Sequence, residues 1–178
     1  MKVIFLDIDG VLNSEETLMK NYNIKKEKGI KPEDIDEEKV EYLSKIVKET
    51  NSSIVLSSSW RTFFNFRDNE LLPLSNHKDA VCLYELFLKY DIPLIDKTGR
   101  DKGARREEEI KEYLDNHQEI ENYLIIDDEC FNLNEEMNKH YLKTSFYGDG
   151  GLLKSQIDEG INILNKNDYK KYTKTNNS

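Results

Sequence analysis

Cysteine, long apolar runs and basic charge are all in short supply in this chain, and each shortage closes a route. Only two cysteines, Cys82 and Cys130, are present, too far apart for a metal knuckle and too few for a disulfide framework. Both read as packed or bystander thiols of a reducing compartment. The opening apolar run Met-Lys-Val-Ile-Phe-Leu meets Asp7, which makes it too short for a signal-peptide core or a membrane span. A soluble cytoplasmic protein with no membrane partner is expected. Lysine and arginine number 26 against 35 aspartate and glutamate, a net charge of -9. That balance excludes broad, charge-driven binding to nucleic acid or anionic membrane, which needs basic surface. Histidine is scarce as well, and His77, His117 and His140 show no metal-ligand spacing, so all three read as structural.

What is present suffices for one folded domain. A chain of 178 residues can bury about 70% of its extended surface. The apolar residues are gathered in short runs rather than diluted evenly as in a disordered chain. Val3 to Leu6, Ile54 to Leu56 and Tyr123 to Ile126 are continuous and rich in β-branched and aromatic residues, the pattern of strands buried on both faces. Weaker strands are expected at Ile92 to Ile95 and Tyr141 to Phe146. Helical spacing runs through Val40, Leu43, Ile46 and Val47, with Asp36 at the acidic start and Asn51 at the end. It recurs at about 78 to 90, 105 to 117 and 151 to 165. Strands alternating with helices predict βαβ units, right-handed crossovers and a Rossmann-like three-layer α/β/α sandwich around a central parallel sheet. No internal repeat is found. Residues 13 to 35 are polar and irregular, the length of a flap rather than a domain, and 62 to 90 form a small insert. The domain is expected to span 1 to 165, with the Asn- and Lys-rich stretch 166 to 178 a frayed, disordered tail.

Each strong strand ends in polar residues: Asp7-Ile8-Asp9-Gly10, then Ser57-Ser58-Ser59-Trp60-Arg61, then Asp127-Asp128. Ligands of open parallel sheets bind at the carboxyl ends of the strands. Four acids would therefore gather at one edge, stay ionised only beside a cation, and as hard oxygen donors suit Mg²⁺. Within Asp7-x-Asp9, Ile8 points into the core while the two carboxylates share a side, and Gly10 permits the turn. One carboxylate can face a bound phosphorus and the other the leaving oxygen, as nucleophile and acid/base partner. An EF-hand loop is excluded, because its glycine belongs at position 6 of the loop.

The basic partner follows from helical phase. A helix leading into a parallel strand starts at the site edge of the sheet. With Ile110 marking the buried face of the 105 to 117 helix, Arg106 lies one turn earlier on that face and Arg105 is turned away. Lys102 is the alternate. Ser57, the first hydroxyl after its strand, can donate to an anionic oxygen together with the N–H groups of the turn, with Ser58 beside it, whereas Ser59 reads as a helix cap. Trp60 reads as a packing residue. Arg61 suits either a second phosphate or a surface ion pair.

These residues resemble the haloacid dehalogenase-like hydrolase superfamily, whose phosphatases carry four short motifs in this order. Asp7-Ile8-Asp9-Gly10-Val11-Leu12 matches the first, Ile54 to Ser57 the second, Arg106 fits the third best, and Asp127-Asp128 matches the fourth. The Ser-Ser-Ser-Trp-Arg run is similar to that of small bacterial members related to phosphatase domains of RNA-repair proteins. The resemblance, over about residues 1 to 160, implies a minimally capped Mg²⁺-dependent phosphatase working in two steps. Asp7 would form an aspartyl phosphate, and Asp9 would protonate the leaving oxygen and then activate water. Mg²⁺ would bridge Asp7, the Asp9 carbonyl and Asp128, with Asp127 holding a metal-bound water or Arg106. The substrate would be a small phosphorylated metabolite or nucleotide, or the phosphorylated end of a nucleic acid. The competing readings are a phosphonate or haloacid hydrolase on the same scaffold and a receiver-like phospho-acceptor without turnover.

Overall fold

The run Lys-Val-Ile-Phe-Leu at residues 2 to 6 forms the first and central strand because alternate side chains feed two separate cores. A computed structural model describes residues 1–99, 105–129 and 133–166. In chain order the elements are β1 (Lys2–Leu6), α1 (Glu15–Lys28), α2 (Glu37–Thr50), β2 (Ser52–Leu56), the hairpin β3 (Phe64–Arg67) and β4 (Glu70–Pro73), and α3 (Lys78–Lys89). They continue through β5 (Leu94–Lys97), α4 (Arg106–Asn116), β6 (Asn122–Asp127), α5 (Glu135–Asn138), β7 (Tyr141–Lys143) and α6 (Ile157–Asn165). Five strands make one sheet in the order β5-β2-β1-β6-β7, with every pairing parallel. This is the expected Rossmann-like α/β sandwich.

Ile4 and Leu6 of β1 pack with Ile54, Leu56, Leu124 and Ile126 under α2, α3 and α6. Val3 and Phe5 face the other way, onto Val55, Ile125 and the α4 residues Ile110, Tyr113 and Leu114. Phe5 meets Tyr113 edge-on with ring centroids 5.5 Å apart, the geometry in which a ring's positive edge faces a negative face. Helix α2 has the ends its sequence announces: Asp36 accepts from the Glu38 N–H, and Asn51 closes it in the left-handed conformation.

The register matters most for function. Leu6 lies beside Leu56 on one side and Ile126 on the other. The residues that follow in register, Asp7, Ser57 and Asp127, therefore stand abreast at the edge of the sheet. The backbone ladder continues one step into this row, with Asp7 N–H donating to Ile126 O at 3.0 Å and Ser57 N–H to Leu6 O at 3.1 Å.

Several elements depart from the sequence expectation. The stretch 13 to 35 is not irregular: it holds α1, capped by Ser14 at one end and by Gly29 in the left-handed conformation at the other. Its polarity hid it, because Asn21 is the one fully buried residue of the helix. Backbone bonds from Glu15 to Phe146 O (2.8 Å) and Glu16 to Gly148 O (3.2 Å) hold it to the loop after β7. The insert at 62 to 90 contains a two-stranded hairpin turning at Asp68 and Asn69, both at positive φ, a favoured tight-turn geometry. The fourth expected strand is displaced to Leu94–Lys97, the fifth ends at Lys143, and the last helix begins at Ile157 after a single 3₁₀ turn. Lys102, Cys130 and residues 167 to 178 of the expected tail lie outside the described residues. No helix among the described residues is long and apolar enough to cross a membrane.

The end of α6 depends on one buried amide. Asn122 Nδ2 donates to Ile163 O (2.9 Å), Leu164 O (3.0 Å) and Lys166 O (2.8 Å), carbonyls that a helix terminus leaves without intrahelical partners. Asn122→Leu removes that donor and is expected to destabilise the fold by about 2 kcal/mol, read as a lower urea midpoint with unchanged slope.

Candidate active site

Three carboxylates meet where β1 and β6 end. Asp7 and Asp127 are buried, Asp128 is half-buried, and one oxygen from each lies within 4.8 Å of the others. Burial raises the Asp7 carboxyl above the usual range, although Arg106, the Ser58 hydroxyl and the Ile8 N–H pull the other way. Burial and then the charge of Asp7 push Asp127 up to about 7, and the same two causes raise Asp128. Gly10 makes room for this cluster: at φ +72 it adopts a backbone that disfavours side chains, and a Cβ there would lie 2.3 Å from Asp128 Cγ.

Arg106 is the cation of the cluster. Its Nη1 lies 3.1 Å from Asp7 Oδ2 and also bonds Asp127 Oδ2. Burial alone would weaken its charge, but Asp7 and Asp127 outweigh that and hold the guanidinium protonated. Arg105, the residue that precedes the helix with an extended backbone, is exposed and pairs with Glu107 and Glu108 instead. Asp127 takes the arginine rather than standing free. One guanidinium facing three carboxylates leaves an excess of negative charge on hard oxygen donors, so the donor set fits a divalent cation.

The run after β2 reaches each part of this site with a different residue. Ser57 is fully buried, and its Oγ has no hydrogen-bond partner among the described residues. Ser58, placed by sequence beside it on a phosphate, is instead engaged internally: its Oγ bonds the Asp7 carboxylate and accepts from the Trp60 N–H at 3.3 Å. Ser58 is therefore the cap of the following 3₁₀ turn, the role the sequence suggested for Ser59. Trp60 packs edge-on against Phe63 and His77, and its indole N–H also donates to Asp9 Oδ2 at 2.9 Å. Arg61 neither sits on the surface nor points at a ligand. It is buried, pairs with Glu109 at 2.8 Å, and donates to Ser57 O (2.9 Å) and Thr98 Oγ1 (2.8 Å).

Asp9 differs from Asp7 in nearly every respect. It is exposed on the turning chain, while Ile8 between them is fully buried. Asn13 Nδ2 donates to its other oxygen, Oδ1, at 3.0 Å, and Asn13 Oδ1 closes the turn by accepting from the Gly10 N–H at 2.9 Å. Sequence reasoning missed Asn13, Thr98 and Glu109. Of these only Asn13 left a local trace, a side-chain acceptor three residues after a glycine turn. The histidines lie elsewhere: His77 caps α3, His117 pairs with Glu119, and buried His140 bonds Tyr123 O. Among the described residues the three aspartates make the one set of ligand type. The Cys82 thiol is pushed up to about 11 by burial and neighbouring acids, which keeps it unreactive.

The sequence profile of a family described as the HAD domain in Swiss Army Knife RNA repair proteins matches residues 3–156. No curated protein and no solved structure matches the chain.

The raised carboxyls have a consequence for stability. An acid that titrates higher in the folded than in the unfolded state binds more protons when folded, so its contribution is full at low pH and is lost as pH rises through the folded value. For Asp127 that window runs from its ordinary value of 3.8 to about 7. Metal-free protein is therefore expected to melt at higher temperature at pH 6 than at pH 8, and Asp127→Asn to flatten that slope in a thermal-denaturation series.

Proposed function

The chain belongs to the family of HAD domains found in RNA repair proteins, HAD-type hydrolases, and from that premise we propose that it is a Mg²⁺-dependent phosphatase acting on phosphate monoesters. The observation that carries the reading is the pairing of two carboxylates two residues apart in opposite settings. Asp7 is buried 3.1 Å from Arg106, and Asp9 is exposed with both oxygens held. One is placed as a fixed nucleophile and the other as a group that can exchange a proton with a leaving oxygen or with water.

Asp7 attacks phosphorus in line, forming the acyl-phosphate bond as the ester P–O bond breaks, and the departing oxygen takes its proton from Asp9. Asp9, now ionised, removes a proton from the water that attacks the aspartyl phosphate, which releases inorganic phosphate and restores Asp7. Ser57 Oγ, buried and without a hydrogen-bond partner among the described residues, donates to a non-bridging oxygen, and Arg106 supplies positive charge on the other side. Asp7, the Asp9 carbonyl and Asp128 would hold Mg²⁺, with Asp127 contributing through its hold on Arg106. The metal would supply neutralising charge at the transferring oxygens.

The cap is small, α1 with the β3–β4 hairpin, so the site suits the exposed phosphate of a nucleotide or a polynucleotide end rather than a metabolite that must be enclosed. The family's RNA-repair setting favours a phosphorylated nucleic-acid end, and the scarcity of cysteine favours a cytoplasmic one. A receiver-like acceptor fits less well: there the phosphorylated aspartate ends the third strand and the acid pair the first, the reverse of the order here. Dehalogenation would have no use for Asp9, since a halide needs no proton to leave.

Purified protein is expected to hydrolyse 4-nitrophenyl phosphate only with Mg²⁺ present, and Asp7→Asn to lower kcat by at least about 10³-fold with an unchanged circular-dichroism spectrum. Turnover retained in Asp7→Asn would rule out the covalent route. Arg106→Ala is expected to raise KM well above the effect of Arg105→Ala, and equal effects would remove the guanidinium from phosphate binding.

A further inference from the structure

The proposed acid/base group is an exposed side chain on a turn, yet it is not free to rotate. Asp9 Oδ2 accepts the Trp60 indole N–H at 2.9 Å, and Oδ1 accepts from Asn13 Nδ2 at 3.0 Å. Asn13 also closes its own turn and reaches Asp34 O, so its place is explained by the local chain. Trp60 is not local: 51 residues separate it from Asp9. It is 7% exposed. Phe63 and His77, themselves stacked with centroids 3.6 Å apart, wall it in. Its backbone N–H is held by the Ser58 hydroxyl that also bonds Asp7. One rigid turn thus reaches the nucleophile through Ser58 and the acid through Trp60.

From this geometry we infer that Trp60 is a positioning residue for Asp9, fixing the plane of its carboxylate so that the free lone pairs face the leaving oxygen. The inference rests on the phosphatase reading above. The indole suits the task chemically. It is a donor only and does not titrate, so it can orient a carboxylate without intercepting the proton that the carboxylate transfers. Each carboxylate oxygen has two acceptor sites, and one N–H on each leaves one free on each for substrate and water. An unheld side chain would lose rotamer freedom at each turnover, and here that ordering is already present in the resting fold.

A test can exploit the leaving group. Formation of the aspartyl phosphate, which governs kcat/KM, needs a proton donor when an alkoxide departs and little help when 4-nitrophenolate departs. Trp60→Phe keeps an aromatic ring and removes the N–H. It is expected to lower kcat/KM about tenfold or more on an alkyl phosphate such as a nucleoside monophosphate, and by about twofold or less on 4-nitrophenyl phosphate. Asp9→Asn should show the same selectivity, and adding Trp60→Phe to it should cost nothing further. Equal losses on both substrates would make Trp60 a structural residue, and a gain on the alkyl phosphate would mean that the bond parks Asp9 away from the reaction. Either result overturns the inference. Should Trp60→Phe fail to fold, replacing the chain's single tryptophan with β-(3-benzothienyl)alanine removes the N–H within nearly the same shape. A second arm needs neither metal nor turnover. The single indole N–H gives one cross-peak in a ¹H–¹⁵N spectrum, and Asp9→Ala is expected to move it upfield and speed its exchange. An unmoved peak overturns the bond itself, whereas wild-type protein inert on every phosphate ester overturns the reading of the site.

Discussion

Like-charge repulsion at the end of the central strand is the constraint around which the rest of the molecule is arranged. Three carboxylates with oxygens within 4.8 Å of one another repel by on the order of 3 kcal/mol per ionised pair at the effective dielectric of a protein site. Two of the three lie almost wholly out of water. A sequence selected for stability alone would not place them there, and sites that break local rules in this way are where function is usually found. The fold accommodates the cluster because the sheet register sets Asp7 and Asp127 abreast, so that Arg106, at the start of α4, reaches both. The compensation is partial: burial, and for Asp127 and Asp128 also the charge of Asp7, still raises the carboxyls, and a divalent cation would complete the charge balance.

The second requirement is that these groups keep their places, and the turn after β2 meets it. Ser57 holds a hydroxyl without a partner among the described residues, Ser58 bonds Asp7, Trp60 bonds the exposed Asp9, and Arg61 ties the turn to α4 through Glu109. Glu109 lies three residues after Arg106, so both project from one face of the helix. The Arg61–Glu109 pair therefore fixes the rotation and height of the helix that delivers Arg106. A buried ion pair contributes little net stability, since desolvation offsets its attraction. Here its value is geometric, because Arg61 Nη1 also bonds the Ser57 carbonyl and the Thr98 hydroxyl.

Much of this was legible in the sequence wherever one segment carried the signal by itself. Buried strands announced themselves as β-branched runs, the acids at their ends needed only the parallel topology to be brought together, and Arg106 was separated from Arg105 by helical phase alone. What was illegible needed information from two distant segments. Nothing near Trp60 says that its indole will meet Asp9, and nothing near Arg61 says that Glu109 will bury it, since those pairs are separated by 51 and 48 residues. Helix α1 was missed for a different reason. It is polar on nearly all sides, so it lacks the apolar stripe on which periodicity depends, and it is recognisable chiefly by its caps, Ser14 and Gly29.

The net charge of -9 and the proposed handling of a phosphate are compatible once the scale of each is considered. Charges spread over the surface are screened beyond roughly 8 to 10 Å at physiological ionic strength, so the surface acids act mainly on the approach of a substrate. In the proposed reading, binding at the strand ends would be decided by groups in contact, among them a buried hydroxyl, a fixed guanidinium and the charge of a metal that the carboxylates would hold. An acidic surface around such a site slows non-specific association with polyanions and leaves recognition to the phosphate group itself. That division also explains why the two motif carboxylates can differ so sharply: Asp7 belongs to the buried, charge-compensated interior, and Asp9 belongs to the solvent boundary. The single buried side chain between them, Ile8, anchors the turn in the core and holds the two environments apart.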